Sequence, residues 1–133
     1  MRLDPPNLLL KKAREDEHLA LLVVNDSSVS DEQIGFFCQQ GIEKAIKAVL
    51  SLRGIKYRRT HDLAELLDLV KDNGIGFPSI MDTSIALTPF AAELRYDYLP
   101  PEATAERPFD RAGAVGLLRA ALEWAEGIAS RGA

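Results

Sequence analysis

Apolar residues recur every three or four positions along most of this 133-residue chain, a spacing that places them on one face of an α-helix. No stretch of the sequence shows the strict alternation of apolar and polar residues that indicates a half-buried strand. The longest apolar stripe lies in the second predicted helix and comprises Ile34, Cys38, Ile42, Ala45, Val49 and Leu52. A stripe of this length must pack on other helices, so we predict an all-α protein with this helix as its hydrophobic spine.

Capping residues and prolines predict where the first two helices begin. Asp4 followed by Pro5 and Pro6 is typical of an N-cap with proline in the first turn, and the helical spacing then continues to about residue 25. Ser30, with Gln33 three residues later, predicts a capping box at the start of the second helix. The second helix should end at Gly54.

The later segments follow the same signals. Thr60 is the predicted cap of a third helix that ends at Asn73 and Gly74. A fourth helix is predicted from about residue 79 to about residue 98, with a bend at Pro89, and a last one over residues 109–130. We therefore predict an all-α, antiparallel bundle of four long helices plus one shorter helix, as a single domain over residues 1–133.

Composition excludes several classes of protein. The net charge of -4 and the pI near 5.2 give no global positive field for a nucleic-acid backbone. No apolar run approaches the roughly 20 residues that cross a bilayer, so we expect a cytoplasmic protein without a membrane span or signal peptide. One cysteine, Cys38, and two histidines cannot form a Cys/His zinc site, and we expect no metal and no cofactor.

The charge is unevenly distributed. Residues 43–59 hold six basic residues and one acid, whereas the rest of the chain is acidic. This segment has two interpretations. Glu43 and Lys47 can form an ordinary i,i+4 pair beside arginines that are merely solvated, or the segment can form an anion or nucleotide site.

Three polar residues of the second helix share one face at spacings of four and three: Gln40, Lys44 and Lys47. The lysines can bind a phosphate and Gln40 can hydrogen-bond a base or a ribose, although a solvated face or a contact with Arg95 explains them equally. Gln39 is turned toward the apolar residues, so we predict a buried or interface amide that needs partners. Cys38 lies on the spine and is predicted to be a small buried hydrophobe.

The remaining candidates lie at predicted helix ends. His61 can bind a phosphate or act as an acid or base, or it can simply pack at the start of the third helix, where the helix dipole favours Asp62. Arg95 can clamp a phosphate, or it can pair with Glu43 or Asp62. Tyr96 can stack on a base or serve as a half-buried prop.

Several of these residues occur in an ordered set. Phe37 to Leu50 follows the pattern F-x-Q-Q-x-x-E-K-x-x-K-x-x-L, residues 60–63 are Thr-His-Asp-Leu, and residues 94–96 are Leu-Arg-Tyr. Together they resemble the HEPN family. The resemblance implies a bundle of four or five helices, similar to nucleotidyltransferase substrate-binding domains. It also implies a dimer, and many family members are encoded beside a minimal nucleotidyltransferase as toxin–antitoxin modules.

Many proteins of this family cleave RNA without metal, using an Arg and a His separated by four to six residues. No such pair exists in this sequence, since the two histidines do not follow any arginine at that separation. The resemblance therefore implies a non-catalytic module that binds a nucleotide, an RNA phosphate or a nucleotidyltransferase partner. The alternative is a metal-independent ribonuclease that uses His61 and Arg95.

A homodimer is also suggested by the number of large apolar residues for a bundle of this length. We expect some of them to be shared between subunits, namely Phe36, Phe37, Leu52 and Trp124.

Overall fold

The computed structural model of the chain describes residues 4–91 and 109–132. These residues form four α-helices and one 3₁₀ helix, and no strand occurs among them. The α-helices are α1 (Pro6–Val23), α2 (Asp31–Leu52), α3 (Leu63–Asp72) and α4 (Arg111–Gly132), and the 3₁₀ helix spans Ser79–Phe90. The predicted all-helical class is thus confirmed for the described part of the chain.

Helix α2 is the centre of the bundle. It contacts every other helix, and twelve of its 22 residues are buried. The predicted spine is confirmed, because Ile34, Cys38, Ile42, Ala45 and Val49 are fully buried. Burial also raises the pKa of the Cys38 thiol to about 12, so this side chain behaves as an inert apolar group.

Ion pairs between the helices show how the bundle is arranged. Arg14 and Glu17 of α1 pair with Glu126 and Arg119 of α4, so these two helices run antiparallel. Asp16 of α1 pairs with Lys44 of α2, while Asp4 accepts a hydrogen bond from Tyr57 beyond the end of α2. Helices α1 and α2 are therefore antiparallel as well, as their short connection requires.

Two predicted helix ends agree closely with the structure. At both, a glycine with a positive φ follows the helix, Gly54 at +69° and Gly74 at +71°. The amide of Ile55 donates to the Leu50 carbonyl, and the amide of Ile75 donates to that of Val70, which is the Schellman pattern. Because a side chain disfavours this backbone conformation, the glycines determine where α2 and α3 stop.

The start of α3 differs from the prediction. Asp62, not Thr60, is the N-cap, since its carboxylate accepts a hydrogen bond from the Ala64 amide at 3.0 Å. Thr60 accepts one from the Asp62 amide and so shapes the turn that precedes the helix. Asp4 is likewise not the cap of α1, because its carboxylate is bonded to Tyr57 and Pro5 takes the cap position.

The segment after α3 also differs from the prediction. Residues 79–90 form a 3₁₀ helix, and Ala91 is extended. The hydroxyls of Thr83 and Ser84 donate to carbonyls three residues earlier, and Pro89 cannot donate to an α-helical ladder. Of the four predicted long helices, three are observed as long α-helices, and residues 92–98 of the fourth lie outside the described residues.

Most of the large apolar residues that suggested a dimer pack inside this chain. Phe37, Leu52 and Trp124 are partly buried against the core. Trp124 also donates from Nε1 to the Gly76 carbonyl at 2.8 Å and meets the Phe77 ring edge-on. These residues therefore supply internal contacts.

Close packing at Gly35 gives a test of the core. An alanine Cβ at this position would lie 2.5 Å from Cδ1 of the buried Phe90 ring. We expect Gly35→Ala to lower the free energy of unfolding by about 1–2 kcal/mol, since overpacking outweighs the helix propensity of alanine. Urea denaturation measures the change.

Gly116 provides the matched control. It lies inside α4 and is exposed, and nothing from a neighbouring helix lies within 4 Å of the position that an alanine Cβ would take. Gly116→Ala should raise stability by about 0.5–1 kcal/mol. Equal effects at the two positions would contradict the contact between α2 and the 3₁₀ helix.

Candidate functional site

Glu43 is the centre of a polar cluster at the junction of α2 and the start of α3. Although Glu43 is charged, the residue as a whole is only 4% exposed. Its Oε1 accepts hydrogen bonds from Gln39 at 2.9 Å and from Nδ1 of His61 at 2.8 Å. Its Oε2 accepts one from Lys47 Nζ at 2.7 Å. Three donors thus compensate the burial of this carboxylate, as a buried charge requires.

Gln39 connects this cluster to the backbone. It is fully buried, and its amide nitrogen also donates to the His61 carbonyl at 3.2 Å. Its side-chain oxygen accepts a hydrogen bond from Gln40 at 2.7 Å. The predicted buried amide is confirmed, and its partners are Glu43, His61 and Gln40. The cluster therefore fixes the backbone and the side chain of His61 together.

Lys44 lies apart from this cluster. Its Nζ pairs with Asp16 of α1 at 2.8 Å. Burial raises the pKa of Asp16, and the adjacent Lys44 opposes that rise. The structure thus brings Gln40, Lys47 and His61 together around Gln39 and Glu43, while Lys44 joins α2 to α1.

The ring of His61 is held in a defined orientation. A carboxylate can only accept hydrogen bonds. The Nδ1 atom of His61 therefore carries the hydrogen and donates it to the Glu43 carboxylate. The side chain is 36% exposed, whereas that of Glu43 is 6% exposed. A buried carboxylate that orients a half-exposed imidazole is an arrangement that can bind a polar ligand or transfer a proton.

Asp62 faces a different surface. It lies on an open groove of about 440 Å³ along α3, which is also lined by Arg58, Ala64, Glu65, Asp68, Leu69 and Asp72. Four carboxylates against one arginine make this groove unfavourable for a phosphate. The helix cap is the role of Asp62 that the contacts show.

The segment between α2 and α3 carries most of the accessible positive charge near this cluster. We call residues 53–59 the basic loop. Arg58 forms a salt bridge with Glu65 that raises the pKa of its guanidinium. Arg53, Lys56 and Arg59 are exposed and form no ion pair with any residue that the structure describes.

Tyr57 anchors the basic loop to the bundle. It is fully buried, and its hydroxyl donates to Asp4 at 2.8 Å. Burial is the main cause of the raised pKa of its hydroxyl. Lys47 Nζ lies 5.6 Å from the centre of its ring, so the basic loop adjoins the Glu43 cluster.

Sequence reasoning missed the central role of Glu43, which it treated as one half of a surface pair with Lys47. The pair exists, but it is buried. A usable signal was the i,i+4 spacing of Gln39 and Glu43, which places the carboxylate on the same inward face as the predicted buried amide. Arg95 and Tyr96 lie outside the described residues, so their predicted contacts with a phosphate, Glu43 or Asp62 stay predictions.

Neither a metal site nor a membrane helix is found in the described ranges. Within residues 4–91 and 109–132, no three His, Cys, Asp or Glu side chains are grouped so that they could hold a metal ion. None of the helices described above is long and apolar enough to cross a bilayer.

Comparison with models of known protein families gives a match over most of the chain. The family model of the HEPN domain matches residues 7–126, which is most of the chain. Searches of curated proteins and of solved structures gave no match.

Proposed function

Because this chain belongs to the HEPN domain family, we propose that it is a non-catalytic module that binds a nucleotide or an RNA phosphate, a nucleotidyltransferase partner, or both. Membership of this family supports a role related to nucleotides or RNA. Domains of the family often dimerise, so the proposal includes a homodimer. A place in a toxin–antitoxin system belongs to the same proposal.

Three exposed cations, Arg53, Lys56 and Arg59, carry the proposal of an anionic ligand. Within the described part of the chain they have no acidic partner, so their charge is available to phosphates. Lys44 and Lys47 add positive charge nearby, but a phosphate would have to compete with Asp16 and Glu43 for them. We therefore assign the direct phosphate contacts to Arg53, Lys56 and Arg59 of the basic loop.

His61 follows the basic loop directly and supplies a polar contact for the ligand. Its ring is oriented by Glu43, and its backbone is held by Gln39. Gln40 belongs to the same network, and Arg95 and Tyr96 complete the proposed set of ligand-binding residues. Phosphates would be held by the loop, and a base or ribose would lie toward His61.

The test compares a triple variant of the basic loop with a single variant from the same loop. We expect the Arg53→Ala/Lys56→Ala/Arg59→Ala variant to lower the affinity for a labelled single-stranded RNA. The magnitude of the negative slope of log K against log salt should decrease by about 2, since each contact with a single strand contributes roughly 0.7. Fluorescence anisotropy at several salt concentrations measures both quantities, and a parallel titration with ATP tests the nucleotide.

Arg58→Ala is the matched control. Its side chain is 66% exposed in the same loop, but Glu65 already neutralises its charge. Affinity and salt slope should stay close to those of the unmodified protein. If the triple variant binds RNA and ATP as tightly as this control, the basic loop is not the phosphate site.

The second candidate function is a metal-independent ribonuclease that uses His61 and Arg95. The hydrogen bond between Glu43 and His61 favours it, because a carboxylate can stabilise an imidazole during proton transfer. We expect labelled RNA to remain intact in the presence of a chelator, since the family's Arg and His spacing is absent from this sequence. Cleavage that His61→Ala abolishes would instead establish the ribonuclease.

A further inference from the structure

Helix α1 has one buried face and one exposed face. Leu10, Ala13 and Ala20 are buried against the bundle. On the other side, Leu8, Leu19 and Leu22 are 49%, 42% and 66% exposed. Three exposed leucines on one face of a helix are more than an ordinary solvated face needs, and they suggest a partner.

These leucines belong to a regular stripe. Leu8, Lys12, Glu15, Leu19 and Leu22 are separated by four, three, four and three residues, which is the spacing of the contact seam of a coiled coil. We call this set the outer stripe. All five residues are exposed. Lys12 and Glu15, at its centre, form no ion pair with the described residues of their own chain.

The order of residues makes the outer stripe complementary to itself. If two copies of α1 pack antiparallel about a two-fold axis near residues 13 and 14, Lys12 lies opposite the partner's Glu15, and Leu8 lies opposite the partner's Leu19. The two-fold axis repeats both contacts, so the charges make two attractive pairs flanked by apolar contacts. A parallel pair would place Lys12 opposite the partner's Lys12, which is repulsive.

We propose that the outer stripe of α1 is the surface through which two copies of this chain associate, with the two α1 helices antiparallel. This inference rests on the proposed homodimer and specifies its interface. The charge pattern selects a second copy as the occupant, because Lys12 of each copy lies opposite Glu15 of the other when the two helices are antiparallel.

Charge reversal gives a direct test. Lys12→Glu places two like-charged pairs in the interface, and Glu15→Lys does the same with the opposite sign. We expect each single variant to weaken the dimer by at least about tenfold. The double variant Lys12→Glu/Glu15→Lys restores opposite charges and should recover the affinity. Sedimentation of the full chain over a range of micromolar concentrations measures the dissociation constant.

Two leucines on the same helix provide a matched control. Leu19 lies in the outer stripe and is 42% exposed, whereas Leu21 is 43% exposed but points away from the stripe. Leu19→Glu should weaken the dimer, and Leu21→Glu should leave it unchanged. Circular dichroism with urea unfolding checks that every variant is folded, so a change in association is not a loss of structure.

Cysteine cross-linking determines the direction of the two helices. The native Cys38 is buried and does not interfere. Oxidation of a mixture of Leu8→Cys and Leu19→Cys chains should give a mixed disulfide dimer. Dominant cross-links between two Leu8→Cys chains would indicate a parallel pair and overturn the proposal.

The outcomes separate this inference from the proposed function. A dimer that none of the stripe variants weakens would overturn the outer stripe but leave the homodimer standing. A chain that is monomeric at every concentration would overturn both. RNA binding through the basic loop is measured separately, so it can succeed or fail independently of either result.

Discussion

Replacing Glu43 with alanine should lower the free energy of unfolding by about 3 kcal/mol, one of the two largest effects that we expect in this protein. Among the described contacts, Glu43 is the only carboxylate that pairs with Lys47 Nζ, and the Lys47 side chain is just 12% exposed. The substitution removes this partner. It also removes a hydrogen-bond acceptor from both the buried Gln39 and the ring of His61. The main cause of the loss is the desolvated Lys47 ammonium, which no longer has the Glu43 carboxylate as its partner. Urea denaturation followed by circular dichroism measures it.

Glu65→Ala is the control for this prediction. Glu65 also pairs with a cation, Arg58, but that arginine is 66% exposed. Because solvent screens such a pair, the loss should stay below about 1 kcal/mol. A combined Glu43→Gln/Lys47→Met variant should be less destabilised than Glu43→Ala, since it leaves no unpaired buried charge. If Glu43→Ala costs no more than Glu65→Ala, the buried cluster does not exist as described.

Replacing Arg111 with lysine should lower the free energy of unfolding by about 2 kcal/mol. Arg111 begins α4, and its Nε donates to Asp31 of α2 at 2.6 Å. Its other nitrogens donate to the backbone carbonyls of Asp26, at 3.0 Å, and of Val29. A lysine ammonium cannot reach these separated acceptors at once. Arg111 thus ties the connection between α1 and α2 to α4, so we also expect faster amide hydrogen exchange in residues 24–30.

The control is Arg119→Lys on the same helix. Arg119 is 57% exposed, and its pair with Glu17 is long, at 3.7 Å. This substitution should change stability by less than about 0.5 kcal/mol and leave exchange in residues 24–30 unaffected. Equal exchange rates in the two variants would show that Arg111 does not hold the connection.

Local sequence signals determine the helical class and most helix boundaries of this protein. The apolar spacing of α2 identified the central helix. Ser30 caps it as predicted, because its hydroxyl oxygen accepts a hydrogen bond from the backbone N–H of Gln33. Gly54 and Gly74 end α2 and α3, because only glycine readily adopts the required backbone conformation. Such features depend on a few neighbouring residues, which is why they can be predicted. The family resemblance is likewise carried by the sequence and is confirmed over residues 7–126.

Other features depend on contacts between residues far apart in the chain, and only the tertiary structure decided them. Asp4 has the sequence of an N-cap, yet it binds Tyr57, which lies 53 residues later. Lys44 and Lys47 share a helix face by their spacing, but Asp16 attracts one and Glu43 the other. Each outcome depends on which polar or charged group another part of the chain presents, because desolvated polar groups must find partners. The sequence alone thus identified the basic segment, and the fold decided which of its cations remain available to a ligand.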